Sequence, residues 1–289
     1  MANVKRRLPN NSPGDFFVDD TCINCDTCRQ LAPTVFADDG DYSFVKSQPH
    51  STEETRQALH ALLACPTSSI GTTGTQKARE AMADFPMLLS PPVYYCGFNH
   101  RDSFGANSYF IRHPEGNWLV DSPRWTPHLQ KTFRAWGGIQ KIFLTHRDDV
   151  SDAARYAESF SAERIIHQQD ASAMPDAEIL IRGREPQSFG ADFLIIPTPG
   201  HTRGHCVLLF QNNFLFSGDH LWWSRRTRHL GAGRSVSWYS WKEQTESMAK
   251  LLDYSFSWVL PGHGRRAHMP PNKMKGELQD LVEHMRKTP

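Results

Sequence analysis

No apolar run in this 289-residue chain approaches eighteen residues, which excludes a helical membrane span. A charge of one sign is also missing. Lys+Arg is 32 against Asp+Glu 31, a net charge of +1, which argues against a polybasic nucleic-acid binder. Six cysteines are too sparse for a fold built on disulfides. The opening MANVKRRLPNNSPGDFF puts no apolar segment behind its basic residues, so it does not read as a secretory signal. The expectation is a soluble cytoplasmic chain, or one of an organellar stroma or matrix after loss of a targeting peptide. Internal repeats and low-complexity segments are lacking. At roughly 150 residues per domain the length suggests two domains. Residues 1–90 balance at −3 and residues 91–289 at +4, weak support for two units with different partners.

What is present begins with cysteine spacing. Cys22, Cys25 and Cys28 stand at i, i+3 and i+6, and Cys65 follows directly before Pro66. Three thiolates at that interval wrap three corners of an iron–sulfur cube from one loop, and a Cys-Pro pair brings the fourth on a stiffened approach. A structural zinc site is the alternative, although zinc more often uses two separate C-x-x-C pairs. Around the cysteines, Phe16 to Val18 and Tyr42 to Val45 read as short strands. Thr34 to Phe36 supplies apolar packing, and Asp38-Asp-Gly-Asp41 is a turn signal. Thr52 to Leu63 reads as an amphipathic helix with Leu59, Leu62 and Leu63 as its apolar side.

Residues 16–71 resemble a single-cluster bacterial ferredoxin. The resemblance implies a small module holding one 4Fe–4S cluster on Cys22, Cys25, Cys28 and Cys65, with a redox protein as a candidate partner at its acidic surface. The expected organisation is a tail over 1–15, the ferredoxin-like domain over 16–74, a linker over 75–92 containing a short helix within 75–88, and a larger domain over 93–289.

In the larger part, Asn107 to Ile111 and Asn117 to Val120 read as a hairpin, and 127–135 as a helix. Ile139 to Leu144 follows as a strand, Asp152 to Phe160 as a helix, and Arg164 to Ile166, Phe193 to Ile196, Cys206 to Phe210 and Phe214 to Phe216 as further strands. Strands alternating with helices indicate a layered α/β domain. Four strand ends carry metal-type side chains: His146, His201, Asp219 and His263. Short Gly- and Pro-rich loops hold imidazole and carboxylate rigidly, and these are ligands that zinc and non-haem iron accept.

This portion resembles the metallo-β-lactamase superfamily, through Leu119-Val-Asp121, Thr145-His146, Pro199-Gly-His201, Gly218-Asp219 and Pro261-Gly-His263-Gly264. The resemblance implies an αββα sandwich with a metal site at one edge of its sheets. The family's His-x-His-x-Asp-His motif here reads His146-Arg147-Asp148-Asp149-Val150-Ser151. Asp148 replaces the second histidine, while Val150 and Ser151 remove two ligands of the usual second ion. The expected set is one divalent metal on His146, Asp148, His201 and Asp219. Two carboxylates make it suit zinc, iron or manganese. Asp149 and Asp152 read as helix-start residues. His167 and His220 are candidates for rebuilding a second site.

For hydrolysis, Asp148 or Asp219 would orient an attacking water and His263 would serve the leaving group. Arg147, Arg265 and Arg266 would supply positive charge for an unidentified small-molecule substrate. A 4Fe–4S centre moves single electrons, so the competing expectations are a mononuclear-metal oxidoreductase fed by the ferredoxin module, and a non-enzymatic electron-transfer or assembly factor. The persulfide dioxygenases of this superfamily share a triad corresponding to His146, His201 and Asp219. The stretch Leu221-Trp-Trp-Ser-Arg-Arg-Thr-Arg-His229, with Trp238 and Trp241, mixes aromatic and basic residues. No longer basic tract accompanies it, so nucleic acid is not the expected ligand.

Overall fold

The computed structural model describes residues 2–74 and 78–288. Met1, residues 75–77 of the expected linker, and Pro289 lie outside the described residues. Backbone contacts divide the chain into two units, Met1–Ile139 and Gln140–Pro289.

The first unit opens with β1 (Phe16–Val18) and the short helix α1 (Thr27–Leu31). A hairpin of β2 (Phe36–Asp38) and β3 (Ser43–Val45) follows, then helix α2 (Thr52–Ala64) and β4 (Ile70–Thr72), which pairs antiparallel with β1. Ser51 caps α2 by accepting from the Glu54 N–H, while Glu54 accepts from the His50 N–H. Such a cap is worth about 1 kcal/mol. The side that α2 buries is Ala58, Leu59, His60, Ala61 and Ala64; the expected Leu59 is in the core, and Leu62 and Leu63 pack against it beside small residues outside the expected set. Leu62 and Leu63 are only half-buried.

Residues 1–15, expected as a tail, are tied in. Asn11 is buried, donates to the Leu8 and Val18 carbonyls, and accepts from the Val18 and Val45 N–H groups, joining β1 to β3. The stretch expected as linker carries α3 (Ala78–Met82) and β5 (Met87–Ser90). Arg56 of α2 makes two 2.6 Å bonds to Asp84 just after α3. Pro91-Pro92 forms the turn into β6 (Val93–Tyr95). With β7 (Tyr109–Ile111) and β8 (Trp118–Val120) these strands make an antiparallel meander, followed by α4 (Pro127–Ala135). Thr126 caps α4 and Pro127 fills its first turn, where a missing N–H costs nothing. Phe133 of α4 stacks on Phe110 of β7 at 4.5 Å.

The second unit starts with β9 (Lys141–Phe143), α5 (Ala153–Phe160), β10 (Glu163–His167) and β11 (Ile179–Ile181), the three strands pairing parallel. Then come β12 (Gln187–Phe189), β13 (Phe193–Pro197), β14 (Cys206–Phe210), β15 (Phe214–Gly218), the small ribbon β16 (Trp222–Trp223) and β17 (Leu230–Gly231), helix α6 (Trp241–Lys250), β18 (Trp258–Pro261), β19 (Ala267–His268) and helix α7 (Pro271–Lys287). Strands β12-β13-β14-β15-β18-β19 form one sheet in that order. The continuous apolar run of β14 is buried throughout, as suits a central strand covered on both faces. Met274, Leu278, Leu281, Val282 and Met285 recur at helical spacing on α7 and pack in one core with Met248 of α6 and Leu215 and Val259 of the sheet.

This strand order positions the second unit's site. β13 and β15 are each antiparallel to β14, and β15 is parallel to β18. All three therefore run the same way and end at one edge of the sheet, just before His201, Asp219 and His263. The end of β9 is tied to the same edge, where the Cys206 N–H donates to the Thr145 carbonyl at 2.8 Å.

Candidate metal centre and cysteine site

At that edge, donor atoms converge. His146 Nε2 lies 3.8 Å from Asp148 Oδ2 and 3.7 Å from Asp219 Oδ2. His201 Nε2 lies 3.5 Å from Asp148 Oδ2 and 3.6 Å from Asp219 Oδ2, and His263 Nε2 lies 3.8 Å from Asp219 Oδ2. Bonds of 2.0–2.2 Å to a tetrahedral ion put ligand atoms about 3.3–3.6 Å apart. The spacing fits one cation. His146 Nε2 and His201 Nε2 are buried with no hydrogen-bond partner among the described residues, a cost of about 1–3 kcal/mol for each such group that a bound cation would remove.

The ligand positions are fixed from behind. His201 Nδ1–H donates to the Val236 carbonyl, which leaves Nε2 free to ligate. Gly200 sits at φ +155°, where an added Cβ would fall 2.4 Å from the Gln244 backbone of α6. Asp170 accepts from the Arg147 N–H, the Thr202 hydroxyl and the Gly204 N–H, tying the loop of Asp148 to the loop of His201. Buried His205 and His220 stack at 3.8 Å. His205 Nε2 accepts from the Asp219 N–H at 3.3 Å and His220 Nε2 from the His201 N–H at 3.2 Å. Burial holds both imidazoles well below the usual histidine range, hence neutral and able to accept.

Charge is arranged accordingly. Burial lowers His146 to about 4 despite the nearby carboxylates, the neutral form a metal ligand requires. Burial pushes His201 down, but the nearby Asp148 and Asp219 carboxylates outweigh it and leave it raised. The His201 imidazole beside it holds the Asp148 carboxyl below its ordinary value. Burial raises Asp219, and His263, His146 and His201 together outweigh it, so Asp219 too stays lowered.

The sequence reads Asp149 as a helix-start residue. The structure instead buries it, and His146, Asp149 and Asp219 form a second set of converging donors. Gly262 leaves the room: a Cβ there would lie 2.7 Å from Asp219 Oδ1 and 3.0 Å from Asp149 Oδ2. The 3-10 turn Arg147–Asp149 thus brings a carboxylate to this edge from the residue just before Val150. Two expected recruits do not join the donors. His167 spends both ring nitrogens, Nε2 on the Gly183 carbonyl and Nδ1 on the Gln169 N–H. His220 turns Nε2 to the His201 backbone. Arg147 is exposed and lies 3.7 Å from Asp148. Arg265 is half-buried, and its carbonyl accepts from the Trp223 N–H. Trp238 is 61% exposed with its ring 6.1 Å from that of His201, so it borders the site and is not core.

In the first unit, Cys22, Cys25, Cys28 and Cys65 line one cavity. The donors facing them suit thiolates. Cys22 Sγ accepts from the Asn24 and Ser43 N–H groups, each at 3.4 Å, and Cys65 Sγ from the Ser69 N–H at 3.3 Å. Burial pushes the Cys25 thiol up to about 11 and the Cys28 thiol further, so a bound metal cation is what would hold these sulfurs as thiolates. Buried Arg29, unmarked in the sequence, bonds Asp26, Asn24 and the Ser43 hydroxyl, pinning the cysteine loop to β3. None of the six cysteines is in a disulfide.

Comparison with known proteins agrees with both halves. Residues 18–72 match the family described as the 4Fe-4S single cluster domain of Ferredoxin I. The structure is similar to a metallo-beta-lactamase family protein from Thermus thermophilus (TM-score 0.51, 16% identity, 69% of this chain and 81% of that one). It is also similar to the DIM-1 metallo-beta-lactamase (TM-score 0.52, 14% identity, 68% and 95%). By sequence it is 28% identical over 191 residues to a beta-lactamase-like protein 2 homolog of Drosophila melanogaster, covering 59% of this chain and 62% of the relative. It is 31% identical over 152 residues to a hydroxyacylglutathione hydrolase of Rhizobium johnstonii, covering 50% and 55%. The chain thus spans little more than half the length of these curated relatives. It combines a single-cluster ferredoxin domain with a metallo-β-lactamase fold. No helix among the described residues is long and apolar enough to cross a membrane.

Proposed function

We propose that the chain is a metal-dependent hydrolase-like enzyme whose divalent ion is held by His146, Asp148, His201 and Asp219, coupled to a 4Fe–4S cluster on Cys22, Cys25, Cys28 and Cys65. The observation that carries this reading is the convergence of two buried, partnerless imidazole Nε2 atoms on two carboxylates at 3.5–3.8 Å. Zinc or iron there would act as a Lewis acid toward a substrate carbonyl. The chain's own groups do the rest. Asp148, 46% exposed at the mouth, holds a proton-accepting oxygen toward the substrate side, and half-buried His263 delivers a proton to the leaving group. Trp238 and the Arg147 guanidinium border the entrance. The likeness to a hydroxyacylglutathione hydrolase supports a thioester as the substrate to try first. The test is metal analysis of anaerobically purified protein, with turnover of a hydroxyacylglutathione. Metal-dependent hydrolysis that disappears in His201→Ala and Asp219→Asn supports the reading. A metal-loaded chain inert toward thioesters and simple esters overturns it.

The mixed histidine–carboxylate set also suits iron, and the ferredoxin domain supplies single electrons. These favour a second reading, a mononuclear-iron oxidoreductase fed by the cluster. Iron in the second unit whose oxidation state follows reduction of the cluster would select it. A metal-free second unit with an intact cluster would select an electron-transfer or assembly role. The exposed Asp20, Asp38, Asp39 and Asp41 would receive a basic redox protein in either case.

A further inference from the structure

The cysteine cavity is lined by ferredoxin-like residues alone, but a loop from outside them packs directly behind Cys25, one of the lining residues. Gly105, in the loop between β6 and β7, is buried at φ +84° directly against Cys25. A Cβ there would lie 2.9 Å from both Cys25 Cβ and Cys25 Sγ, and 3.1 Å from the Pro66 ring. Only glycine brings a backbone that close at that torsion. Asn99, fully buried, holds the loop in place. Its Nδ2 donates to the Gly105 carbonyl at 2.7 Å and to Thr27 Oγ1 at 3.2 Å, and its Oδ1 accepts from the Tyr95 hydroxyl at 2.8 Å. Its backbone N–H donates to the carbonyl of Ala64, the residue before Cys65. Thr27 Oγ1 lies 3.4 Å from Cys25 Sγ and 3.4 Å from the Gly105 carbonyl. One asparagine therefore joins the cysteine loop, the approach to the fourth cysteine and the covering loop.

We infer that residues 97–107 are a built-in cover of the iron–sulfur site, with Gly105 and Asn99 as positioning residues that set its exposure to solvent and oxidant. This rests on the cluster reading above. Cluster potential and durability follow solvent access and the bonds around the sulfurs, so displacing the cover should alter both. The full chain would be purified without oxygen as wild type, Gly105→Ala and Asn99→Leu. Gly116→Ala serves as a control, since Gly116 lies at φ +121° in the β7–β8 turn, away from the cysteines in sequence. The readouts are iron and sulfide content, decay of visible cluster absorbance in air, and midpoint potential. Metal content of the second unit checks folding.

Both cover variants should lose the cluster about tenfold faster in air and show a more positive potential, while Gly116→Ala matches wild type. If Gly105→Ala yields no folded protein, Asn99→Leu, which keeps side-chain volume and removes the donors, carries the comparison alone. Wild-type decay and potential in the folded cover variants overturn this inference and leave the cluster reading standing. Equal damage in the control does the same. A wild-type chain without iron and sulfide overturns the cluster reading, and this inference with it.

Discussion

The cysteine site draws three of its four cysteines from seven consecutive residues, whereas the histidine–carboxylate centre gathers His146, His201, Asp219 and His263 from the ends of four strands. The first arrangement costs little chain entropy to form, but the elements around it are short: β1, β2, β3 and β4 have three residues each and α1 has five. Three of the second set, His201, Asp219 and His263, follow strands of one six-stranded sheet with its own core, so they stand in place by virtue of packing. The small module has only a modest core of its own, so it is expected to depend more on a bound cluster than the second unit does on a bound metal.

The largest expected effect breaks the first half of that contrast. Cys28→Ser should abolish iron and sulfide binding and leave the amides of β1 to β4 and α2 exchanging freely with solvent, while those of β13 to β18 stay protected. Hydrogen exchange read by mass spectrometry checks this, and a still-protected cluster-free module would contradict it.

A ligand change in the second unit should do the reverse. Asp219→Asn is expected to weaken metal binding by about 100-fold and to shift the unit's unfolding free energy by less than about 2 kcal/mol, measured by metal titration and denaturant melts.

Gly200→Ala sharpens the comparison by striking the frame instead of the ligand. Its Cβ would meet α6 backbone at 2.4 Å, so a stability loss of about 1–3 kcal/mol should accompany loss of metal affinity, seen in the same two measurements.

The smallest effect is one of pH within the second unit. Bonds from Arg164, with the Arg164 N–H adding to them, lower Glu178 to about 2. A carboxylate lowered on folding contributes stability above its unfolded value, near 4.5, and loses it as pH falls toward 2. Arg164→Gln should flatten acid denaturation over that window. Because Glu178 is 41% exposed, the change should shrink further in high salt.

The same contrast decides what can be read from sequence. The cysteine interval states its own chemistry, and the strands ending at His201 and Asp219 are marked by apolar runs closed by Gly and Pro. Helix α7 escapes such reading although Met274, Leu278, Leu281, Val282 and Met285 carry its period; nothing adjacent in sequence says which core receives them. Asp149 misleads because a 3-10 turn, not a regular helix, follows His146, and turn geometry decides which of two successive aspartates faces Asp219. Asp170 and His205 act through partners distant along the chain, and Arg29 reaches Ser43 as well as its neighbours, so these long-range roles have no local signature.

The bond from Asn99 to the Ala64 carbonyl joins residues made at different times. A chain synthesised from its N-terminus presents all four cysteines before Gly105 exists. At roughly 5–20 residues per second the interval is on the order of a few seconds. During that time the thiols stand open to whatever delivers iron and sulfide, and to whatever oxidises them. In the order of synthesis the proposed cover therefore follows all four cysteines, and a cluster inserted during that interval would meet an uncovered site.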